Sequence, residues 1–362
     1  MSKFIPGLFL CEQFYNEVVK PILKDGFPGL KYSAGLIDYG SEVLGFDTKR
    51  STDHHWGPRV MIFLSPEDIS NKEKISDFLS KHLPATFLGY STHFGEPNKL
   101  GVQLLTKVKK GQPITHRIEI YSIESFLENY LSISPNINLS SLDWLILSEQ
   151  RLRTIRSGNI FYDQLSLKKI QRKLHYFPKD VWLFMLASEW LKIGQEEPFV
   201  GRTGDVGDEL GSKVIAARLV HSIMKLCFLM EKEYSPYSKW FGTAFSRLQC
   251  AKKLTPILDR VLLSKKWKDR QKNLSSAYKI IAELHNKLGI TKTLPTKASY
   301  FFDRPYLVIH GDVFANEIKK KIKDKAIRSI SVCIGSVNQL SNSVDLLDDN
   351  KLLKKLKDLY QS

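Results

Sequence analysis

The alternation of apolar and polar positions predicts strands in the first part of the chain. Residues 32–40 (YSAGLIDYG) and 56–64 (WGPRVMIFL) are short apolar runs bounded by turn residues, which is typical of strands. Residues 114–123 (ITHRIEIYSI) alternate, so isoleucines occupy one side of the strand and polar residues, Glu119 among them, occupy the other. Residues 157–163 (SGNIFYD) predict one last strand.

Helical patterns lie between these strands and follow them. Residues 65–83 predict a helix with Pro66 near its start, and residues 122–131 predict another, with Ser125 and Glu128 at the spacing of a capping box. From about residue 168 the apolar period becomes helical. Long helices are expected at 180–197, 208–234 and 273–289, with Pro236, Pro256 and the LPTK segment at 294–297 as punctuation between helices.

These patterns divide the chain into two domains. Residues 1–168 predict a mixed α/β (α+β) domain, and residues 169–362 predict a mostly α-helical bundle domain. The length of 362 residues agrees with two domains, because a single core rarely serves so long a chain.

Composition indicates a globular protein. Hydrophobic residues make up 43% and aromatic residues 11% of the chain. No apolar run approaches the roughly 18–20 residues that a membrane-spanning helix needs, and the N-terminal segment lacks the pattern of a signal peptide. The four cysteines show no CxxC spacing, which favours reduced thiols in a cytoplasmic protein without a membrane partner.

The net charge of +16 indicates an anionic partner, such as a nucleotide, a nucleic acid or an acidic surface. Much of this charge lies in lysine-rich runs at 265–272, 319–325 and 351–358, which equally fit solvated helix faces. None of the runs is interleaved with aromatic residues in the manner of single-strand binding. A nucleic-acid partner therefore rests on charge alone.

A set of turn and acidic residues in the first domain predicts a nucleotide site. Gly40 and Ser41 follow a predicted strand, and after eleven intervening residues Asp53 begins the next predicted strand. A Gly-Ser turn lets the backbone approach a triphosphate, and carboxylates on neighbouring strands bind the divalent cations that bridge phosphates. Glu119, between two isoleucines, is the candidate for the third acid, although an acid on a strand commonly just faces water.

The spacing Gly-Ser, Asp53 and a later Glu119 resembles the nucleotidyltransferase superfamily of DNA polymerase beta and the aminoglycoside nucleotidyltransferases. Longer stretches resemble a bacterial family, domain of unknown function 4037. These stretches are GSEVLGFDTKRSTDHHWGPR, YFPKDVWLFMLASEWLKIGQEEPFVGRTGDVGDELGSKVIAARLV, FLMEKEYSPYSKWFGTAF, HNKLG, FFDRPYLVIHGDVFA and IGSVNQLSNSVD. The resemblance implies a polymerase-beta-like fold, whose helical domain forms the other wall of the active cleft.

The chain departs from the family pattern at His55, because the family usually reads Asp-His-Asp where this chain reads Asp53-His54-His55. A histidine nitrogen suits Mn²⁺, Zn²⁺ or Co²⁺ better than Mg²⁺. Three outcomes stay open: His55 binds a softer metal, one metal is lost and slow catalysis remains, or nucleotide binds without turnover. The expected metal ligands are Asp53, His55 and Glu119, with Mg²⁺ or Mn²⁺ as cofactor. Asn338 is a second departure, at a position where the family has aspartate.

The helical half supplies further candidates. Glu196 or Glu197 could act as the base that deprotonates an acceptor hydroxyl, as a glutamate of the helical domain does in the aminoglycoside enzymes. Lys213, Arg218 and Lys239 are candidates for phosphate contacts, although charged helix faces are often only solvated. Arg218 shares a helix face with His221, Ser222 and Lys225.

The sequence therefore predicts a metal-dependent nucleotidyltransferase. It would transfer a nucleoside monophosphate from a nucleoside triphosphate to a hydroxyl of a small molecule, a protein or an RNA end, and release pyrophosphate. The alternative is a catalytically impaired nucleotide-binding or regulatory protein, because His55 replaces the second carboxylate.

Overall fold

The computed structural model describes residues 4–53, 55–99, 101–109 and 111–361. The side chain of Asp53 lies outside this description, as does the whole of His54.

The strands, in chain order, are β1 (Tyr32–Leu36), β2 (Arg59–Leu64), β3 (Thr86–Phe87), β4 (Tyr90–Ser91), β5 (Arg117–Ser122), β6 (Asn159–Asp163), β7 (Ser299–Phe301) and β8 (Arg304–Val308).

The helices are α1 (Gly7–Phe14), α2 (Lys20–Gly26), α3 (Lys72–His82), α4 (Ile123–Leu131), α5 (Ser141–Leu145), α6 (Glu149–Ser157), α7 (Leu167–Lys173), α8 (Lys179–Glu196), α9 (Phe199–Asp205), α10 (Glu209–Met230), α11 (Ser238–Phe245), α12 (Ala251–Leu263), α13 (Trp267–Lys287), α14 (Gly311–Lys319), α15 (Lys325–Arg328), α16 (Val337–Leu340), α17 (Val344–Asp348) and α18 (Asn350–Lys355). A π-helical turn (Tyr15–Val19) joins α1 to α2, and 3₁₀ turns occupy Lys49–Asp53, Ile69–Asn71 and Leu356–Tyr360.

The chain forms two compact units. The sheet unit contains residues 1–138 and 151–175, and the helical unit contains 139–150 and 176–362. The sequence pattern predicted one border near residue 168. It did not predict that residues 139–150 belong to the helical unit.

A mixed four-stranded sheet forms the centre of the sheet unit, in the order β5-β2-β1-β6. β1 pairs antiparallel with both β2 and β6, whereas β2 pairs parallel with β5. The predicted fold class, a mixed sheet followed by a mostly helical unit, is confirmed.

One face of this sheet packs against the N-terminal helices. Leu10 and Phe14 of α1 belong to one buried cluster with Val60 and Ile62 of β2 and Ile118 of β5. Because side chains alternate along a strand, the residues between these apolar positions lie on the opposite face. That face carries the polar residues described below.

The helical unit is built on three long helices, α8, α10 and α13, as the apolar period predicted. α8 packs closely against α14, because Gly194 and Gly311 meet where the two helices contact each other: a Cβ on Gly311 would lie 2.4 Å from the Trp190 carbonyl oxygen. Among the described residues, no helix combines the length and apolar character needed to cross a membrane.

Several expectations were wrong in detail. Asp53 does not begin β2, which starts at Arg59, because Gly57 with φ +151° and Pro58 interrupt the extended chain. The capping box at α4 joins Ser122 to Ser125 rather than Ser125 to Glu128.

In the helical unit, Pro256 does not separate two helices. It lies inside α12, on the exposed side of the helix, where water can satisfy the carbonyl that loses its partner. α13 begins at Trp267, six residues before the predicted start at 273. The β7–β8 hairpin was not predicted.

Candidate functional site

The Gly40–Ser41 turn follows β1 and surrounds a buried arginine. Gly40 has φ +142°, and a Cβ there would lie 2.6 Å from Arg59 Nη2, so only glycine fits. Arg59 contacts Glu42 at 2.9 Å and Asp38 at 3.4 Å, and it donates to the backbone oxygen of Tyr39. Arg59, Asp38 and Glu42 are each buried. These contacts fix the shape of the turn.

Burial and neighbouring charges change the pKa values of Asp38 and Arg59 in this network. Burial raises the pKa of Asp38 to about 7, although Arg59 opposes the rise; Glu119 and Glu42 add to it. Burial alone would lower the pKa of Arg59, but the negative charges of Asp38 and Glu42 raise it above its usual value. Arg59 therefore stays charged and shares its charge between two carboxyls.

A second network lies on the same face, centred on Arg117 of the edge strand β5. Arg117 Nη1 contacts His55 Nδ1, and Nη2 contacts both the Tyr39 hydroxyl and Glu119 Oε1, the latter at 3.2 Å. The Tyr39 hydroxyl in turn donates to Glu119 Oε1 at 3.4 Å, and the Tyr121 hydroxyl donates to Oε2 at 2.9 Å. Both oxygens of Glu119 thus accept hydrogen bonds from the protein.

Tyr39 joins the two networks. Its ring centroid lies 5.1 Å from the Arg59 guanidinium and 5.9 Å from that of Arg117, within the range of cation–π contacts. The side chain is nevertheless 44% exposed. The predicted turn, His55 and Glu119 therefore meet around one accessible aromatic residue and one buried guanidinium.

The two predicted metal ligands with described side chains, His55 and Glu119, fit a divalent cation poorly in this arrangement. An arginine has only N–H donors, so His55 Nδ1 must offer its lone pair to Arg117, and the proton of a neutral ring is on Nε2. Neither ring nitrogen then has a lone pair for a metal. Glu119 Oε1 also faces the positive guanidinium. Among the side chains that the structure describes, no three His, Cys, Asp or Glu groups converge as a metal site.

In the helical unit, Glu196 and Arg218 form an ion pair. The Arg218 side chain is 60% exposed, whereas that of Glu196 is 12% exposed. The second oxygen of Glu196, Oε2, is buried and has no hydrogen-bond partner within the described part of the chain. The predicted role of Glu196 as a base stays a prediction.

Glu197 has contacts of a different kind. Its carboxylate accepts hydrogen bonds from the backbone amides of Ile309 and Gly311, the latter at 3.1 Å, at the start of α14. Burial raises its pKa to about 7, against the opposing effect of those amides. These contacts favour a structural role in holding the 309–311 segment, and the catalytic role predicted for Glu197 stays a prediction.

The predicted basic residues of the helical unit do not form one exposed face. Lys213 and Lys239 are exposed, and Lys239 Nζ lies 5.1 Å from the Trp240 ring centroid. Lys225, by contrast, is buried and donates to Ser235 Oγ at 2.8 Å. The face shared with Arg218 is therefore buried in its C-terminal half, because α10 enters the core there.

The sequence did not predict six residues of the sheet-unit networks: Asp38, Tyr39, Glu42, Arg59, Arg117 and Tyr121. Arg117 was assigned only to the polar side of its strand. A usable signal existed, since Arg117 and Glu119 are two residues apart and must lie side by side on one strand face. The partners His55 and Tyr39 come from distant loops, which no local pattern predicts.

Comparison with known proteins finds a family match over part of the chain. Residues 144–241 match the family described as domain of unknown function (DUF4037). A crystallised nucleotidyltransferase-like protein from Exiguobacterium sibiricum is similar in structure, with 12% identity, a TM-score of 0.31, and coverage of 76% of this chain and 79% of that one. No curated protein matches the sequence. The predicted resemblance to the DUF4037 family is confirmed over residues 144–241, where the family model matches.

Proposed function

We propose that this protein binds a nucleoside triphosphate in the sheet unit, in the manner expected of a nucleotidyltransferase-type site. One observation carries the proposal: His55, Glu119 and Tyr39 all contact Arg117, and Tyr39 directly precedes the Gly40–Ser41 turn in the chain. A glycine turn with positive φ lets a phosphate approach the backbone amides. The exposed ring of Tyr39 beside it can stack on a base.

Transfer of the nucleoside monophosphate is the second candidate function. The acceptor hydroxyl oxygen would form a bond to the α-phosphorus, the bond to the β-phosphate oxygen would break, and pyrophosphate would leave. The hydroxyl proton would pass to a base, the role predicted for Glu196 or Glu197. The acceptor remains a hydroxyl of a small molecule, a protein or an RNA end.

Nucleotide binding ranks first because of Arg117. A guanidinium already contacts His55 and Glu119, the two residues of the predicted metal set whose side chains are described, which disfavours rapid metal-dependent transfer. This contact favours the alternative that His55 raised at the level of sequence, a protein that binds nucleotide with little or no turnover.

Binding and turnover are measured separately to test these proposals. Fluorescent ATP, GTP, CTP and UTP analogues are titrated into the wild type, into Gly40→Ala and into Lys81→Met, an exposed control in the same unit. We expect binding that Gly40→Ala reduces about tenfold or more, because a 1 Å displacement of a phosphate contact is costly. Equal affinity of all three proteins, or no binding of any nucleotide, would overturn the proposed site.

Turnover is followed by pyrophosphate release under Mg²⁺ and Mn²⁺, with small hydroxyl compounds, protein and RNA as acceptors. The wild type is compared with His55→Asp, which restores the carboxylate usual in the family. Pyrophosphate release by the wild type under either metal would favour nucleotidyl transfer over nucleotide binding without turnover. Release by His55→Asp alone would indicate a site that has lost turnover through this one residue.

A further inference from the structure

Arg117 lies between the two described residues that were predicted to hold a metal. Its Nη1 contacts His55 Nδ1, while its Nη2 contacts Glu119 Oε1 at 3.2 Å and the Tyr39 hydroxyl. A guanidinium carries a full positive charge at every physiological pH and offers several N–H donors in fixed directions. It thus provides, from within the chain, a cation with directed contacts to both residues.

The position of Arg117 is fixed by its surroundings. The parallel register pairs its strand position with Arg59 of β2, and the side chain is only 8% exposed. The guanidinium also lies 5.8 Å from the Phe94 ring centroid. On the other side, the backbone N–H of His55 donates to the Gln103 oxygen at 3.1 Å, which holds the loop beside it. The contact is therefore built by several elements rather than by one mobile side chain.

The charge of Arg117 is less neutralised than that of its neighbour. Above about pH 7, where Asp38 has lost its proton, Arg59 has two carboxylates within 4 Å, those of Asp38 and Glu42. Among the described residues, Glu119 is the single carboxylate within that distance of Arg117. Part of the Arg117 charge can therefore act on an anion that arrives at the Gly40–Ser41 turn, which lies next to Tyr39 in the chain.

We propose that the guanidinium of Arg117 takes the place of a divalent cation between His55 and Glu119, so that this site binds phosphate groups without that metal. The inference deepens the proposed function and rests on it for the identity of the ligand. It also explains why histidine is tolerated at position 55, since a neutral Nδ1 acceptor suits an arginine donor, whereas an aspartate would add a charge that attracts metal.

The first arm of the test uses Mn²⁺ alone, with free Mn²⁺ measured by its electron paramagnetic resonance signal. The comparison includes the wild type, the single variant Glu119→Gln and the double variant His55→Asp/Arg117→Met. It also includes the triple variant that adds Glu119→Gln to the double variant, and Lys81→Met as the exposed control. We expect wild type, Glu119→Gln and Lys81→Met to bind Mn²⁺ equally. The double variant should bind about tenfold more tightly, a typical effect of a change beside a metal ligand, and Glu119→Gln should abolish that gain.

A wild type whose Mn²⁺ affinity falls about tenfold or more on Glu119→Gln would overturn the inference, because Glu119 would then be a working ligand. This comparison needs no change at Arg117, so it decides the question even if the double variant does not fold. A double variant that folds, by circular dichroism, but gains no Mn²⁺ site would also overturn it.

The second arm uses the fluorescent ATP analogue with Mg²⁺ and in excess EDTA. We expect the wild type to bind with Kd values within about threefold of each other in the two buffers, since the neutralising cation belongs to the chain. Binding that requires Mg²⁺ would overturn the inference and leave the nucleotide site standing. No nucleotide binding in either buffer would contradict the proposed function. The Mn²⁺ measurement would still show whether Arg117 takes the place of a metal ion between His55 and Glu119.

Discussion

Asp38 couples the stability of the sheet unit to pH. Its pKa is raised from 3.8 to about 7, so between these values the folded protein holds a proton that the unfolded chain has lost. The free energy of unfolding therefore falls as pH rises from about 4 to 7, by on the order of 1–4 kcal/mol, since each pKa unit is worth about 1.4 kcal/mol. Glu197, with a pKa raised to about 7, adds to this fall in the same window.

Asp38→Asn tests this coupling, because the amide keeps the shape and an acceptor oxygen for Arg59 but cannot ionise. We expect a flatter dependence of unfolding free energy on pH between about 4 and 7 than in the wild type, as urea titrations at several pH values would show. The remaining slope belongs to Glu197 and to other acids. An unchanged slope would mean that Asp38 ionises in the folded protein as readily as in water.

Asn338 is the second departure from the family pattern, and its contacts explain why an asparagine rather than an aspartate occupies this position. Its Oδ1 accepts from the Glu149 amide at 3.0 Å, and its Nδ2 donates to the Leu147 carbonyl at 2.8 Å. An aspartate could accept the first bond but could not donate the second. Asn338 thereby holds the start of α6 in the helical unit.

We expect Asn338→Asp to lower the free energy of unfolding by about 1–3 kcal/mol, because a carboxylate oxygen would face the Leu147 carbonyl in a buried site. Asn316→Asp, on the exposed side of α14, is the matched control and should change stability by less than about 0.5 kcal/mol. Thermal and urea unfolding measure both variants. A stable Asn338→Asp protein would indicate that Lys225, whose Nζ lies 3.3 Å from the Asn338 backbone oxygen, compensates the new charge.

At the scale of single residues, the sequence predicted the local structure of two positions: Gly40 lies in a turn with positive φ, and Glu119 lies on a strand. Arg117 could not be assigned, because its contact with His55 depends on a loop that the Gln103 backbone holds in place. Such contacts form only after long-range folding.

At the scale of elements, the packing of α8 against α14 depends on two glycines. A Cβ on Gly194 would lie 2.7 Å from the Asp312 amide nitrogen, and one on Gly311 would lie 2.4 Å from the Trp190 carbonyl oxygen. Such contacts with backbone atoms cannot be relieved by a side-chain rotation. The two helices approach closely because neither residue has a side chain.

We expect Gly194→Ala to destabilise the protein by about 1–3 kcal/mol, since overpacking would outweigh the better helix propensity of alanine. Gly242→Ala, inside α11, is the matched control: a Cβ there meets nothing within 4 Å, so the same change should be neutral or stabilise by up to about 1 kcal/mol. Calorimetric unfolding of both variants gives the difference. Equal effects of the two changes would contradict close packing at Gly194.

The sequence predicted most long elements because their apolar periods are strong. β1, β5, β6, α8 and α10 lie where the patterns placed them, within a few residues. The β7–β8 hairpin was missed because its strands are short and largely exposed, so no alternation develops. Pro256 was taken as a break, yet an exposed proline removes a single amide donor, and the buried face of α12 continues past it.

At the scale of the whole molecule, the chain enters the helical unit twice. Residues 139–150 join it first, and Trp144 and Leu145 of this segment are buried there. The Glu149 carboxylate also accepts from the Ser235 amide at 2.8 Å. The sheet unit is therefore discontinuous in sequence, which a border read from apolar period alone could not reveal.

This connectivity predicts how the sheet unit behaves alone. A fragment of residues 1–175 carries the 139–150 segment without its partners, so Trp144 and Leu145 become exposed apolar surface. We expect this fragment to associate and to bind a hydrophobic dye more strongly than the same fragment with residues 139–148 replaced by a glycine-serine linker. Size-exclusion chromatography and dye fluorescence compare the two.

The same replacement in the full chain is the control, and it should act in the opposite direction. There it removes buried side chains from the helical unit, so the midpoint of unfolding should fall, because Trp144 packs against Phe177 with ring centroids 6.0 Å apart. If the linker reduces association and dye binding of the fragment but lowers the midpoint of unfolding of the full chain, residues 139–150 belong to the helical unit. If the linker increases association of the fragment and also lowers the midpoint of unfolding of the full chain, the segment stabilises the sheet unit, and the discontinuous division of the chain is wrong.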